Sequence, residues 1–403
     1  MKKILVLTNV YPASDMPKGY TPVVHYFVRE WVKMGYDVRV INYDVNFPSF
    51  YYTVSRPFNS IIANRLGCVL KNKVTKSLSY SLDDVKVKRI AITKYIPHGL
   101  CTNKQIEKAF QNSLTYLQEE RFSPDMIISH WANPCLQLMA MLKRQFKNSR
   151  CCYVAHGSNE IDVYKENCKT LLKTVDIVGC RSAYIKQKFV SKYGDSIPTF
   201  TCYSGIPEKY VDPSFHKEIT KVKRFVYVGT LIKRKYPSAI IPAIAQSFSG
   251  ENFELHYIGE GNEKTSIERI AQDYNVVDKV HLHGRIQRDQ VVEMLDESDV
   301  FVMISKNEAF GLVYLEAMAR GCITIASRRE GFDGIIQDGV NGFLCEAGDS
   351  SELSSIISKI RSMCNDDIQR ISKNAIKTAC ELTDKKAAKK YIDNVEKLIY
   401  NNS

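Results

Sequence analysis

The sequence predicts an α/β protein built from two doubly wound, Rossmann-like domains facing each other across a cleft. Three observations lead there. Short Val/Ile-rich runs alternate with amphipathic stretches along the chain, a proline-containing break falls near Pro207–Pro213, and the same alternation then restarts on a similar scale. The 403 residues also exceed what a single core usually organises.

Taken in order, the first half offers strands at Lys3–Thr8, Asp37–Tyr43, Arg89–Lys94, Met126–His130, Cys151–His156, Asp176–Cys180 and Thr199–Tyr203. These runs are short and apolar, as parallel strands covered on both faces must be. Helical periodicity fills the intervals, for example Val23–Met34, Lys104–Glu119 and Tyr184–Ser191. The second series is Arg224–Val228, Phe253–Gly259, Lys279–His283, Val300–Ser305, Ile323–Ser327 and Gly342–Cys345, with helices out to Tyr400. The expected division is a first domain over 1–206, a linker over 207–222, a second domain over 223–380 and a C-terminal helix over 381–403. The basic stretch Lys385–Lys390 is expected to return towards the first domain. Asn46–Ser81 fits no regular element. Its aromatics (Phe47, Phe50, Tyr51, Tyr52, Phe58) and bases (Arg56, Arg65, Lys71, Lys73, Lys76) suit a membrane-facing or acceptor-facing insertion, and equally a small packed subdomain with a solvated basic face.

Composition narrows the class. With 44% hydrophobic and 25% charged residues this is ordinary globular usage. No apolar run is long enough to span a bilayer, and Ile4–Leu7 is too short for a signal peptide. A cytoplasmic location is expected, compatible with peripheral attachment at the inner face of the plasma membrane. The twelve cysteines include no C-x-x-C and do not cluster with the histidines, so they read as core residues of a reducing compartment, with no metal site. Charge is uneven. Residues 1–200 hold 29 Lys+Arg against 15 Asp+Glu, a balance of +14, whereas residues 201–403 hold 27 against 29, a balance of −2. A basic first half suits an anionic partner, such as membrane phospholipid or a phosphorylated substrate, and equally simple solubility. It lacks any recognisable nucleic-acid module.

The stretch NEAFGLVYLEAMARG, residues 307–321, carries two carboxylates in an apolar setting. A strand ends before it and a helix begins near Gly311. Helix starts expose unpaired N–H groups that bind phosphate, and glycine lets a ligand approach the backbone. Glu308 ahead of that site and Glu316 inside the helix would then accept hydroxyls on either side of a diphosphate, the layout of a nucleotide-sugar. On spacing alone a second reading stays open, in which Glu308 is a charge at the helix start and Glu316 a solvated helix residue.

Glu308 and Glu316 reproduce the E-x7-E signature, in an EAFGL…EAMA context, and the chain here resembles glycosyltransferase family 4, whose members are retaining, nucleotide-sugar-dependent enzymes of the GT-B fold. Other ordered segments agree: Val228-Gly229-Thr230-Leu231 through Arg234-Lys235, Ile258-Gly259-Glu260-Gly261, His283-Gly284-Arg285 and Gly339-Val340-Asn341-Gly342. In the first half Asn9-Val10-Tyr11-Pro12 with Gly19, Ser129-His130-Trp131 and Ala155-His156-Gly157-Ser158 also match. The resemblance implies that Glu316 accepts from ribose and that Glu308 holds a donor-sugar hydroxyl. Backbone amides at Phe310, Gly311 and Leu312 would meet sugar and diphosphate. Lys235, helped by Arg234, would neutralise the leaving nucleoside diphosphate in place of a metal, and His156 would lie over the donor sugar. Gly229, Thr230, Arg285 and Gly19 complete the implied donor site, and His130 and Trp131 are the acceptor-side candidates. Thr230 stands where many members have Arg, and Ser204-Gly205 replaces a usual Asn-Gly.

The activity so implied is sugar transfer from a nucleoside-diphosphate sugar to a polyprenyl-linked or growing cell-surface polysaccharide. UDP, the family's commonest donor nucleotide, is favoured. A nucleotide-sugar epimerase would need an acid/base carboxylate set in the first domain, and none is evident. A non-enzymatic scaffold of the same fold would be expected to have lost Glu308, Glu316 or Lys235, and all three are present.

Overall fold

The structure is a computed structural model that describes residues 2–15, 22–49, 52, 74–95, 100–157, 160 and 168–400. The chain divides into two compact units. The first comprises Met1–Cys180, Lys186–Cys202 and Ala388–Ser403, and the second Arg181–Ile185 and Tyr203–Ala387.

The first part of the chain forms β1 (Lys3–Thr8), α1 (Val23–Lys33), β2 (Asp37–Asn46), β3 (Leu78–Leu82), β4 (Val85–Thr93), α2 (Asn103–Glu119), β5 (Met126–His130), α3 (Cys135–Gln145), β6 (Arg150–Ala155), α4 (Cys168–Leu172), β7 (Ile177–Cys180), α5 (Ala183–Tyr193) and β8 (Thr199–Thr201). The strands make one sheet in the order β3-β4-β2-β1-β5-β6-β7-β8. Every pairing is parallel except β3 with β4. Burial explains the elements. Ile4 to Leu7 of β1 are fully enclosed, and α1 buries Val24, Phe27, Val28 and Trp31, one stripe at helical spacing. The order reverses between β1 and β5, which marks a crevice at their carboxyl ends.

The expectation that Asn46–Ser81 fits no regular element is corrected at both ends. Asn46 closes β2, and Leu78–Leu82 pairs antiparallel with β4. Asp83 and Asp84 both adopt left-handed backbone, φ 48° and 62°, as a type I′ hairpin turn requires. Two aspartates give that turn none of the glycine signal that announces it in sequence. The remainder of that stretch, apart from Phe47–Ser49, Tyr52 and Val74–Ser77, lies outside the described residues.

The hairpin supports the loop after β1. Arg89 of β4 is fully enclosed and holds both carboxylate oxygens of Asp15 at 2.7 and 2.8 Å, while its Nε donates to Lys76 O. Beside it Tyr11 OH meets His25 Nδ1 at 2.8 Å and His25 Nε2 meets Asp83 at 2.9 Å. A buried guanidinium is tolerable only when so paired.

The second series runs β9 (Arg224–Val228), α6 (Ile240–Phe248), β10 (Glu254–Ile258), α7 (Lys264–Asp273), β11 (Val280–Leu282), α8 (Arg288–Glu297), β12 (Val300–Met303), α9 (Leu312–Ala319), β13 (Ile323–Ser327), β14 (Phe343–Cys345), α10 (Ser350–Ser362), α11 (Asn365–Cys380) and α12 (Asp384–Tyr400). Its parallel sheet has the order β11-β10-β9-β12-β13-β14, the doubly wound arrangement with its switch between β9 and β12. Residues 203–222 pack against this unit: Ile206, Tyr210, Ile219 and Val222 join its core. Lys217 is buried and caps α8, its Nζ donating to Leu295 O and Ser298 O at 2.6 Å each. From Ala388 onward α12 groups with the first unit, where Ala388 O accepts from Trp31 Nε1 at 2.9 Å and Tyr391 stands edge-on to Phe27 and Trp31. Among the described residues no helix is long and apolar enough to cross a membrane.

Gly205 tests this packing. Ile206 bridges to Thr383, and a Cβ on Gly205 would stand 2.2 Å from the Thr383 carbonyl carbon. Gly205→Ala should cost about 1–3 kcal/mol through the shift it forces, read as a lower urea midpoint. An unchanged midpoint would mean this junction yields freely.

Candidate active site

The site in the second unit is built from loops at the carboxyl ends of β9, β10 and β12. After β12 the chain passes through residues 304–311 and enters α9. Gly311 stands at the start of that helix with φ 79°, and a Cβ there would meet the Tyr314 ring at 2.6 Å. Tyr314 is enclosed and donates its OH to Met303 O at 2.6 Å, which ties the first turn of α9 to the end of β12. The first amides of α9, at Leu312 and Val313, have no intrahelical acceptor, so the helix start presents unpaired N–H donors of the kind that suit an anion.

Two neighbouring segments fix the loop before α9. Glu330 accepts from Glu308 N at 2.9 Å, and Gly331 N donates to Glu308 O at 2.9 Å. Gly331 has no room for a Cβ, which would fall 2.4 Å from the Ala309 carbonyl. From the β9 side Lys306 N donates to Arg234 O at 2.7 Å, and Arg234 Nη1 reaches Lys306 O and Asn307 O at 3.3 Å each.

This clamping brings Lys235 Nζ within 3.2 Å of Glu308 Oε2, with Arg234 Nη1 at 3.7 Å. Both Lys235 and Glu308 side chains are about one-seventh exposed. Glu308 Oε2 lies out of line for a hydrogen bond to Lys235 and is a buried acceptor with no hydrogen-bond partner among the described residues. It is paired in charge and open to a hydroxyl donor. Burial raises the Glu330 carboxyl, opposed by the amides of Asn307 and Glu308.

Glu316 is buried, which removes the reading of a solvated helix residue. Its partner is Arg288 of α8, whose guanidinium bonds to Glu316 and lies 4.9 Å over the Tyr210 ring. Burial raises the Glu316 carboxyl and Arg288 pulls it back down. Arg285, the arginine expected here, is exposed and makes none of these contacts.

The glycines of the adjoining loops allow backbone to lie on backbone. A Cβ on Gly259 would fall 2.0 Å from Gly229 O, and one on Gly261 would fall 2.1 Å from Leu231 O. A cavity of about 260 Å³ opens beside them, lined in part by Leu231, Gly259, Gly261, Lys264 and Gly284. Thr230 is exposed, its carbonyl accepting from Tyr227 OH at 3.0 Å. Phe310 turns its side chain into the core against Phe332, with the Arg181 guanidinium 5.4 Å from its ring.

In the first unit, at the ends of β5 and β6, His130 Nδ1 meets His156 Nε2 at 2.9 Å, and Trp131 stacks on the His156 ring at 3.8 Å. Trp131 takes left-handed backbone at φ 62°, an uncommon state for a bulky residue. His130 is fully enclosed, and Tyr391 OH stands 3.5 Å from its Nε2. Sequence reasoning missed Glu160, which accepts from Tyr153 OH at 3.2 Å and from the amides of His156, Ala132 and Gly157. It joins the loops bearing Trp131 and His156. Gly19 and Ser158 lie outside the described residues. Among the described residues no three His, Cys, Asp or Glu side chains are grouped to hold a metal.

Two doubly wound units, one presenting a helix start flanked by a lysine and two carboxylates, define the class as a doubly wound α/β protein. Residues 211–378 match the family model of the glycosyl transferases group 1. Over 161 residues it is 30% identical to N-acetyl-alpha-D-glucosaminyl L-malate synthase of Bacillus anthracis, a match spanning 38% of this chain and only 41% of that relative. It is 26% identical over 393 residues to the amylovoran biosynthesis glycosyltransferase AmsK of Erwinia amylovora, covering 89% of this chain and 90% of that one. Anabaena HepE, solved in complex with UDP, superposes with a TM-score of 0.66 at 16% identity, over 98% of this chain and all of that one. The fold is GT-B.

Glu160 gives a pH test. Burial pushes its carboxyl up to about 8, against the bonds from Tyr153 and the three amides. A carboxyl raised on folding adds stability that is complete below the unfolded value near 4.5 and is lost as pH rises towards 8. Glu160→Gln should therefore flatten the fall in melting temperature between pH 5 and 8, measured against wild type. Parallel curves would remove Glu160 as a titrating group.

Proposed function

We propose that this protein is a retaining glycosyltransferase of the family 4 type. It would move a sugar from a nucleoside-diphosphate sugar, UDP-linked by preference, to a polyprenyl-linked or growing cell-surface polysaccharide. The observation that carries this reading is the Lys235–Glu308 pair at the start of α9, with Glu308 Oε2 buried and open to a hydroxyl.

In this reading the diphosphate lies against the first amides of α9. Lys235 turns from Glu308 to the phosphate, and Arg234 adds a second cation. The bond between the anomeric carbon and the diphosphate oxygen breaks, a bond to the acceptor oxygen forms on the same face, and the departing oxygen takes the acceptor's proton. Charge growing on the leaving group is met by fixed N–H dipoles and cations, so no metal is required. Glu308, released from Lys235, accepts a donor-sugar hydroxyl. Glu316, oriented by Arg288, accepts from the ribose. His156 is assigned to the donor sugar, with Trp131 stacked on it fixing the ring plane. The cavity beside Gly259 and Gly261 suits the base. AmsK, similar over most of both chains, is named for amylovoran biosynthesis, which supports a polysaccharide product. A cytoplasmic enzyme working at the inner membrane face would meet such acceptors.

UDP, GDP and ADP at millimolar concentration provide the test. UDP should raise the melting temperature of the wild type by mass action, and Glu316→Ala should lose that rise. Once a donor and acceptor pair is found, Lys235→Ala should lower kcat about 10²–10³-fold, the scale for removing a group aimed at developing charge. No shift with any nucleoside diphosphate would contradict the donor site.

A further inference from the structure

The outer strand of the second sheet is slight. β11 has three residues, none of them fully buried, and lies at the edge of the sheet beside β10. A strand with so little buried surface opens easily unless something else ties it down. Beyond the last register pair, His283 N donates to Tyr257 O at 2.9 Å and Gly259 N donates to Gly284 O at 2.7 Å. Gly284 takes left-handed backbone at φ 67° and, with Gly259, lines the cavity of about 260 Å³ described above. Whatever holds β11 therefore also holds the wall of that cavity.

Three imidazoles sit on this strand pair. His256 of β10 lies opposite His281 of β11, and His283 follows two residues on, towards the same face. His256 is the middle ring. Its centroid is 4.8 Å from that of His281 and 5.2 Å from that of His283, with interplanar angles of 26° and 22°. Its Nδ1 also meets His283 Nε2 at 2.9 Å. That contact holds a single proton, since one nitrogen must donate and the other accept. Two imidazolium rings would set N–H against N–H and put like charges face to face.

The surrounding charges steady one proton there and not two. Glu254 Oε2 stands 3.7 Å from His256 Nε2, and Arg224 of β9 draws on the same carboxylate oxygen at 3.4 Å. Opposite His256, β9 places the apolar Val226. On α8, which packs on β9, Arg288 is held by Glu316 and Asp296 by Arg320, while Asp289, Glu293 and Glu297 are exposed. Burial and the neighbouring histidines lower His256, opposed by Glu254. Burial and His281 lower His283.

We propose that His256, His281 and His283 form a proton-sensitive latch. With the rings neutral it holds β11 and the Gly284 turn against β10; protonation of the His256–His283 pair releases the turn and loosens the wall of the adjoining cavity. A histidine lowered on folding costs nothing above its unfolded value of 6.5 and destabilises as pH falls below that, because the unfolded chain then binds more protons. The latch is thus closed above that pH and opens below it. Its effect on nucleotide binding rests on the function proposed above; the latch itself does not.

Amide hydrogen exchange at Gly259 in the full chain, corrected for the intrinsic effect of pH, is the experiment. Protection in the wild type should fall severalfold between about pH 7.5 and 5.5, the range in which histidine titrates. His256→Gln, which removes the middle ring, should flatten that fall. Glu254→Gln, which removes the carboxylate that steadies the proton, should steepen it. Wild-type protection that ignores pH, or a fall of the same size in His256→Gln, would overturn the inference. Should His256→Gln not fold, Glu254→Gln at its partly exposed position decides, and a fall no steeper than wild type counts against the latch. UDP affinity over the same range should drop more in wild type than in His256→Gln, and equal drops would overturn the link to the cavity. If UDP binds at no pH, the donor reading falls, and the exchange result still decides the latch.

Discussion

The ion pair between Lys235 and Glu308 is the contact on which the rest of the site depends. The two residues come from different strand ends, β9 and β12, at the switch point of the second sheet. Left unpaired, either charge would be costly where only a seventh of it meets water. Paired, they hold the 233–235 turn against the loop before α9. The Arg234 and Lys306 backbone exchange and the Glu330–Gly331 clamp make that geometry rigid. In the function proposed above, a phosphate takes the lysine and leaves the carboxylate for a hydroxyl.

The first unit uses buried polar groups in a similar way. Arg89 with Asp15, and Tyr11 with His25 and Asp83, support the loop after β1 from the β3–β4 hairpin. Glu160 ties together the loops after β5 and β6. Glu160 lies beside the carboxyl ends of β5 and β6, where a doubly wound sheet leaves backbone unsatisfied and ligands bind.

Much of the architecture was legible because parallel strands covered on both faces appear as short continuous apolar runs, and most bounds shifted by only one to three residues. β3 was not legible, since its turn is made by Asp83-Asp84 without glycine. The Glu308, Glu316, Lys235 set could be found from a local pattern. Arg288 could not: it lies 28 residues before Glu316, and nothing local distinguishes it from the exposed Arg285. Gly259-x-Gly261 was a weak motif for a physical reason that only the fold supplies. Those glycines serve contacts with the carbonyls of Gly229 and Leu231, neighbours in space from another strand end. Glu160 escaped because its partners are backbone amides, which carry no sequence signal.

The central claim is that a nucleotide diphosphate sits on the start of α9. Amide resonances of Gly311 and Leu312, followed in ¹⁵N-labelled protein during titration with UDP, report on that position directly. The account predicts large, saturable shifts at both, lost in Lys235→Ala at the same UDP concentration. Saturable UDP binding that leaves Gly311 and Leu312 unmoved would contradict it.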